Sequence, residues 1–211
     1  MKIKAQNISL AIIFIIPIIS AILVLVATRF NIGISPDSTY YISAAQSIIE
    51  QGEIRSIFEG SQRLFLTHFP PGYPIILSAT NFFTTNIYEA TRFSNAFFMF
   101  TLLLTVGLIT YKYIPLIPTL LIQILLVTNY EIFILYRMAW SEPSYLFFSL
   151  IGLYTLHLFV KTKNITWLFF SGLIISTAVA IRYLGVTLIF TSVIYLWYAL
   201  SNTTILYRIT N

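Results

Sequence analysis

The stretch that decides the fold class of this chain is ISLAIIFIIPIISAILVLVA, residues 8–27, twenty residues without a charge. A helix needs about 20 apolar residues to cross the hydrocarbon core of a bilayer, so this run predicts a membrane span. It is longer than the apolar region of a signal peptide, and no A-x-A-like site follows it, so we expect it to be retained. Pro17 is tolerated within such a span as a kink.

The rest of the chain has the same apolar character. Of its 211 residues, 58% are hydrophobic and 9% are charged, against about 25% charged in soluble domains. The mean hydropathy is +0.86. No single soluble core would cover this much apolar surface, and the composition predicts an all-α integral membrane protein.

The composition also excludes several classes of function. The chain has no cysteine, which excludes disulfides, thiolate metal sites and a cysteine nucleophile. Its basic residues stand singly between apolar runs, with no cluster that could follow a phosphate backbone, so we expect no nucleic-acid partner.

Six apolar runs are candidate membrane spans. They cover residues 8–27, 93–111, 114 to about 135, 143–160, 165–181 and 183–200. The third is the least regular, because Pro115 and Pro118 open it and Asn129 and Glu131 interrupt its far end. We therefore predict one membrane domain over residues 1–211, with about six transmembrane helices, a long loop at 28–92 and a tail at 201–211.

The charges predict the orientation of these spans. Six crossings place both termini on one side, and the charged residues of that side are all basic: Lys2, Lys4, Lys112, Lys161, Lys163 and Arg208. The positive-inside rule puts this side in the cytoplasm. All seven acidic residues fall on the other side, so polar chemistry is expected at the extracytoplasmic face.

The extracytoplasmic 28–92 loop is predicted to be folded. Apolar residues at a four-residue spacing form one stripe over 37–51, which predicts a helix that Ser35 and Pro36 can start and Gly52 can end. Such a helix would lie along the membrane surface. A second apolar piece, 73–83, is too short to span and is expected to be interfacial or re-entrant.

Asp37 is the first candidate for chemistry. An aspartate at a helix start most often caps the helix or interacts with its dipole, which is worth about 1 kcal/mol, and spacing alone favours this structural role. The functional alternative is a general base at the bilayer surface, where a substrate held by a lipid anchor would meet it.

Other polar residues of the outer face also have two interpretations. Arg92, Arg137 and Arg182 end predicted spans and are either snorkelling anchors or bidentate grips on a phosphate. Glu142, at the start of the fourth span, is either a dipole partner or the ion-pair partner of Arg182 or Arg137. His68, within THFPPGYP, either supports the turn by hydrogen bonding or holds a phosphate.

Four aromatic residues of the same face are most simply an aromatic belt at the membrane surface. They are Tyr40, Tyr41, Trp140 and Tyr183.

An ordered set of segments resembles a known enzyme group. They are PDSTYYISAAQSIIEQGEIRS (36–56), HFPPGYPIILSATNFF (68–83), EATRFSNAFF (89–98), AWSEPSYLFFSLIGLYTLHL (139–158) and AVAIRYLGV (178–186). The chain resembles the bacterial membrane glycosyltransferases of family 39, the dolichyl-phosphate-mannose protein mannosyltransferase-like group, which shares the GT-C fold with the aminoarabinose transferase of lipid A. The likeness covers roughly residues 8–200.

The resemblance implies inverting transfer of a sugar from a polyprenyl-phosphate donor to an acceptor hydroxyl or amine on the outer face of a bacterial inner (plasma) membrane. The acceptor would be a lipid, a glycan or a protein. Asp37 occupies the position of the catalytic base, and Arg182 and Arg92 best match the arginines expected near the leaving phosphate. The resemblance implies no certain cofactor and leaves room for a divalent cation.

The other residues assigned to donor-phosphate or substrate binding are His68, Glu142, Arg137 and Tyr41. Members of this group usually continue with further spans, so we expect this chain to be truncated. The competing hypothesis is therefore a non-catalytic or truncated polytopic homologue that acts as an assembly partner or is an inactive fragment. Transport ranks lowest, because no internal repeat is present.

Overall fold

The computed structural model describes residues 2–57 and 63–201, which are mostly helical. The helices are α1 (Lys2–Ala27), α2 (Pro36–Gln51), α3 (Gly72–Asn81), α4 (Ile87–Tyr111), α5 (Leu116–Thr128), α6 (Tyr130–Arg137), α7 (Glu142–Thr162), α8 (Ile165–Ile181) and α9 (Val186–Ser201). A 3₁₀ turn, Tyr183–Gly185, precedes α9. The predicted 201–211 tail lies, from residue 202 on, outside the described residues.

The prediction of an all-α membrane protein is confirmed. Over the described residues, four helical segments are long and apolar enough to cross a membrane: Ile8–Ala27, Ile87–Tyr111, Glu142–Thr162 and Tyr183–Ser201. A fifth crossing is added if the bent pair α5 and α6 forms one span. Helix α8 has the bounds expected of the fifth apolar run, but at 17 residues it is shorter than these.

Two predicted spans have different bounds in the structure. Residues 114–135 do not form one continuous helix, because Asn129 adopts extended backbone and α5 and α6 meet at a 60° bend. The Asn129 Oδ1 accepts a hydrogen bond from Ile132 N at 3.0 Å and so starts α6 as its cap. Helix α4 begins at Ile87, not Phe93, because the Asn86 side chain caps it there.

The 28–92 loop is folded onto the helices. Helix α2 ends at Gly52, whose φ of +71° is the left-handed conformation that favours glycine. A short antiparallel pair that the sequence did not reveal follows, β1 (Arg55–Ile57) with β2 (Arg63–Phe65). Ala44 and Ala45 are fully buried, so the apolar side of α2 packs against protein.

Helix α3 joins this loop to the bundle at a very close approach. A Cβ placed on Gly72 would lie 2.5 Å from the carbonyl oxygen of Ala180, near the end of α8. Only glycine allows this contact, which holds the start of α3 against the outer end of α8.

Buried amides tie the helices together. The Asn95 Nδ2 on α4 donates to the carbonyl oxygens of Tyr136 and Met138, at 3.0 and 2.8 Å. The Gln123 Nε2 on α5 donates to Leu103 O at 2.9 Å and Ile13 O at 3.3 Å, so it links α5 to α4 and α1. These bonds hold the α5–α6 pair against α1 and α4.

Candidate functional site

Five polar residues meet where the start of α2 approaches the start of α7 and the end of α8. We call them the outer cluster: Asp37, Tyr41, Ser141, Glu142 and Arg182. Asp37 and Tyr41 are four residues apart and share one face of α2. Ser141 and Glu142 begin α7, and Arg182 directly follows α8.

Four members of the outer cluster, all but Asp37, are joined by a short chain of contacts. Arg182 Nη1 forms an ion pair with Glu142 Oε1. The same Nη1 donates to Ser141 Oγ at 3.4 Å, and the Tyr41 hydroxyl lies 3.3 Å from that oxygen. One hydroxyl, that of Ser141, therefore connects α2 with the cation at the end of α8.

Electrostatics connect Asp37 to the same group. Burial raises the pKa of the Tyr41 phenol; the Ser141 hydrogen bond and the charge of Arg182 lower it, while Glu142 and Asp37 raise it. The charges of Arg182, Glu142 and Asp37 therefore all act on the phenol, and that of Asp37 acts most weakly.

Asp37 is exposed, at the second position of α2. The prediction that it caps this helix is wrong, because the cap is Ser35, whose Oγ accepts from Ser38 N at 3.4 Å while Ser38 Oγ accepts from Ser35 N at 3.0 Å. Its charge still lies in the first turn, where the helix dipole favours it. Within the described part of the chain, its carboxylate has no hydrogen bond or ion pair.

Aromatic rings form one wall beside Tyr41. The rings of Phe69 and Tyr73 lie 4.9 and 5.1 Å from that of Tyr41. Tyr41 is 4% exposed, so its assignment to an aromatic belt is wrong. Tyr73 is fully buried, and burial raises the pKa of its phenol.

His68 lies in the exposed segment next to this wall. Its Nδ1 is 3.4 Å from Thr67 Oγ1, and the Tyr183 hydroxyl donates to Thr67 O at 3.4 Å. Tyr183 follows Arg182 in sequence, so the His68 segment is attached to the chain directly beyond the outer cluster. These two contacts join His68 to Thr67 and Thr67 to Tyr183, and neither of them reaches a residue of the outer cluster.

The other two candidate arginines lie elsewhere. Arg92 donates from Nε to Thr28 Oγ1 at 3.3 Å and from Nη2 to Leu25 O at 3.1 Å, so it binds one carbonyl in the last turn of α1 and the hydroxyl that follows this helix. Arg137 ends α6 with an exposed side chain, and its carbonyl accepts from Gly33 N at 2.8 Å. These contacts make Arg92 a structural cap and leave Arg182 as the arginine of the outer cluster.

Ser141 and Tyr73 were missed from sequence. The serine beside Glu142 in AWSEPSY was only a weak indication of a site residue. Its hydroxyl can form hydrogen bonds with a cation and with a phenol at the same time. Tyr73 looked like any interfacial aromatic, and only the packing of α3 shows that it is buried. Over residues 2–57 and 63–201, no three His, Asp or Glu side chains come close enough to hold a metal ion.

No family model matches this chain, and neither the curated proteins nor the solved structures include a match to it. The resemblance to family 39 therefore depends on the quoted segments alone.

Proposed function

We propose that this chain is a membrane glycosyltransferase that moves a sugar from a polyprenyl-phosphate donor to an acceptor hydroxyl or amine on the extracytoplasmic side. In this proposal it crosses a bacterial plasma membrane six times, with both termini in the cytoplasm, and α8 and the α5–α6 pair are crossings. The observation that carries the proposal is that Arg182, held by Glu142 and Ser141, is linked through Ser141 to Tyr41, which shares one face of α2 with the exposed Asp37.

Asp37 is the proposed base. Its exposed carboxylate takes the proton of the acceptor hydroxyl or amine. At the same time the oxygen or nitrogen of that group attacks the anomeric carbon from the face opposite the phosphate. A bond forms between the acceptor and that carbon while the carbon–oxygen bond to the phosphate breaks. The lipid phosphate leaves with the electron pair, and the configuration at the carbon inverts.

Arg182 is the proposed stabiliser of the leaving phosphate. Its contacts with Glu142 and Ser141 both use Nη1. Among the described residues, its Nη2 and Nε donors have no recorded partner, and they are the fork that suits bidentate binding of phosphate. Glu142 and Ser141 hold the guanidinium in place, and Tyr41 supports Ser141.

The test is Asp37→Asn, with Glu131→Gln as a matched control. Both residues are exposed acids at the second position of a helix capped by another side chain, Ser35 for α2 and Asn129 for α6. Transfer from labelled polyprenyl-phosphate sugars is measured in membranes with matched protein levels. We expect Asp37→Asn to lower the rate by about a hundredfold or more and Glu131→Gln to leave it unchanged.

Unchanged transfer by Asp37→Asn would exclude Asp37 as the base.

The second candidate function, a non-catalytic assembly partner, is favoured by the exposed apolar side of α9, where Trp197 is 73% exposed. A wild-type chain that transfers no sugar from any polyprenyl-phosphate donor, yet copurifies with another membrane protein through α9, would support that candidate.

A further inference from the structure

A second polar cluster lies at the opposite ends of the helices, on the face that carries the lysines. Lys112 Nζ donates to the Tyr154 hydroxyl at 2.6 Å. The two nitrogens of His157 lie 3.4 Å from the Tyr113 hydroxyl and 3.0 Å from the Tyr195 hydroxyl. The proposed transfer reaction uses none of these groups.

An apolar groove begins at Lys112. It has a volume of about 420 Å³ and runs between α1, α4 and α7. Its walls include Leu10, Leu108, Ile109 and Ile151, with Lys112 and Tyr154 at one end. These walls can cover methylene groups, and the polar lining offers an ammonium and a phenol hydroxyl.

Among the side chains that the structure describes, no carboxylate forms an ion pair with Lys112. In the described ranges, the acidic side chains all belong to the other ends of the helices: Asp37, Glu50, Glu53, Glu89, Glu131 and Glu142. Lys112 is exposed, and one phenol oxygen accepts from its three-donor ammonium group. A cation at the end of an apolar groove is complementary to an anionic head attached to an apolar tail.

We propose that this groove binds one anionic phospholipid of the leaflet on the lysine-bearing face. One acyl chain lies along Leu108, Ile109 and Ile151, and the phosphate accepts hydrogen bonds from Lys112 Nζ and the Tyr154 hydroxyl. The His157 ring lies beside the Tyr154 ring, with centroids 6.5 Å apart, and His157 Nδ1 is 3.0 Å from the Tyr195 hydroxyl. His157 therefore joins α7 to α9 beside the lipid, while Lys112 holds the Tyr154 hydroxyl.

The experiment measures which lipid stays with the purified full-length chain. The protein is placed in nanodiscs of phosphatidylglycerol and phosphatidylcholine in equal amounts and extracted in mild detergent, and retained lipid is counted by mass spectrometry. The variants are Lys112→Gln, Lys112→Arg and Thr105→Trp, the last of which fills the groove wall. Lys161→Gln is the matched control, because Lys161 is exposed on the same face but does not line the groove.

We expect the wild-type chain to retain phosphatidylglycerol over phosphatidylcholine. Lys112→Gln should reduce this preference about fivefold, the effect of one interfacial cation, while Lys112→Arg should keep it. Thr105→Trp should lower retention with Lys112 still present. Thermal unfolding in the same detergent confirms that each variant is folded.

Three results would overturn the proposal. The first is an unchanged preference in Lys112→Gln. The second is an equal loss in Lys161→Gln, which would mean general attraction to a basic face. The third is full retention in Thr105→Trp together with binding of inorganic phosphate by the lipid-free wild-type chain, which would make the site an anion site without a lipid tail. None of these readouts depends on sugar transfer, so this inference and the proposed function fail separately.

Discussion

The indole Nε1 of Trp140 donates a 2.7 Å hydrogen bond to Ser35 Oγ, the same oxygen that caps α2. This bond ties the first turn of α2 to the residue just before Ser141. One of the two segments carries Asp37, and the other carries Ser141 and Glu142, the partners of Arg182. A contact between residues 105 positions apart in the sequence therefore holds them together.

The first prediction concerns Ser35. Ser35→Ala removes the cap of α2 and the acceptor of Trp140, so we expect it to lower the free energy of unfolding by about 1–2 kcal/mol. Asp37→Asn should change it by less than about 0.5 kcal/mol, because Asp37 is exposed and not the cap. Thermal unfolding in detergent compares the two, and equal destabilisation would contradict the capping assignment.

Gly72 is predicted to be intolerant of a side chain. Gly72→Ala puts a methyl group against the backbone of Ala180 and Ile181, and we expect a loss of about 1–3 kcal/mol in unfolding free energy. The matched control is Gly172→Ala on α8, where a Cβ meets nothing within 4 Å and alanine should stabilise the helix by about 0.5–1 kcal/mol. A neutral Gly72→Ala would refute the close contact between α3 and α8.

Arg182→Lys tests the phosphate-binding role. Lysine keeps the charge but lacks the planar fork, so we expect transfer to fall about tenfold or more. The unfolding free energy should change by less than about 1 kcal/mol, since the Arg182 and Glu142 side chains are 31% and 28% exposed. Arg29→Lys, an exposed arginine stacked on Phe30, is the control, and an equal loss of activity there would remove the case for Arg182.

The buried Tyr41 phenol predicts an alkaline limit to stability. Its pKa in the folded protein is raised above the ordinary 10.0, mainly by burial. The stabilisation from keeping the phenol neutral is therefore fully present below pH 10 and is lost as the pH rises through the folded-state value. Unfolding measured between pH 8 and 12, at roughly unit steps, should show a smaller alkaline loss for Tyr41→Phe than for wild type.

The absence of cysteine makes the topology directly testable. Single cysteines are placed at the exposed positions Thr39, Thr162 and Leu184. If α8 crosses the membrane as proposed, an impermeant maleimide should label positions 39 and 184 in spheroplasts with intact inner membranes, and position 162 only after permeabilisation. Labelling of 162 and 184 from the same side would mean that α8 does not cross.

Much of the membrane architecture could be predicted from local sequence. The apolar run at 165–181 forms α8 with the expected ends, and the uncharged run at 8–27 lies within α1 and ends with it at Ala27. Both could be predicted because hydrophobic length is a property of consecutive residues. Gly52 was identified as the end of α2 for the same local reason, since it supplies a left-handed φ. The 60° bend at Asn129 was visible only as an irregularity, because its angle depends on the helices that α5 and α6 pack against.

The candidate site required contacts between distant segments. Sequence placed Asp37 at a helix start and left Glu142 with two candidate arginines, Arg182 and Arg137, of which the structure pairs it with Arg182. Nor did the sequence separate Arg182 from Arg92, which binds the end of α1. Consecutive residues encode hydrophobic length and helix ends. The pairing of side chains from α2, α7 and α8 depends on how those helices pack, because it is set by distances across the fold.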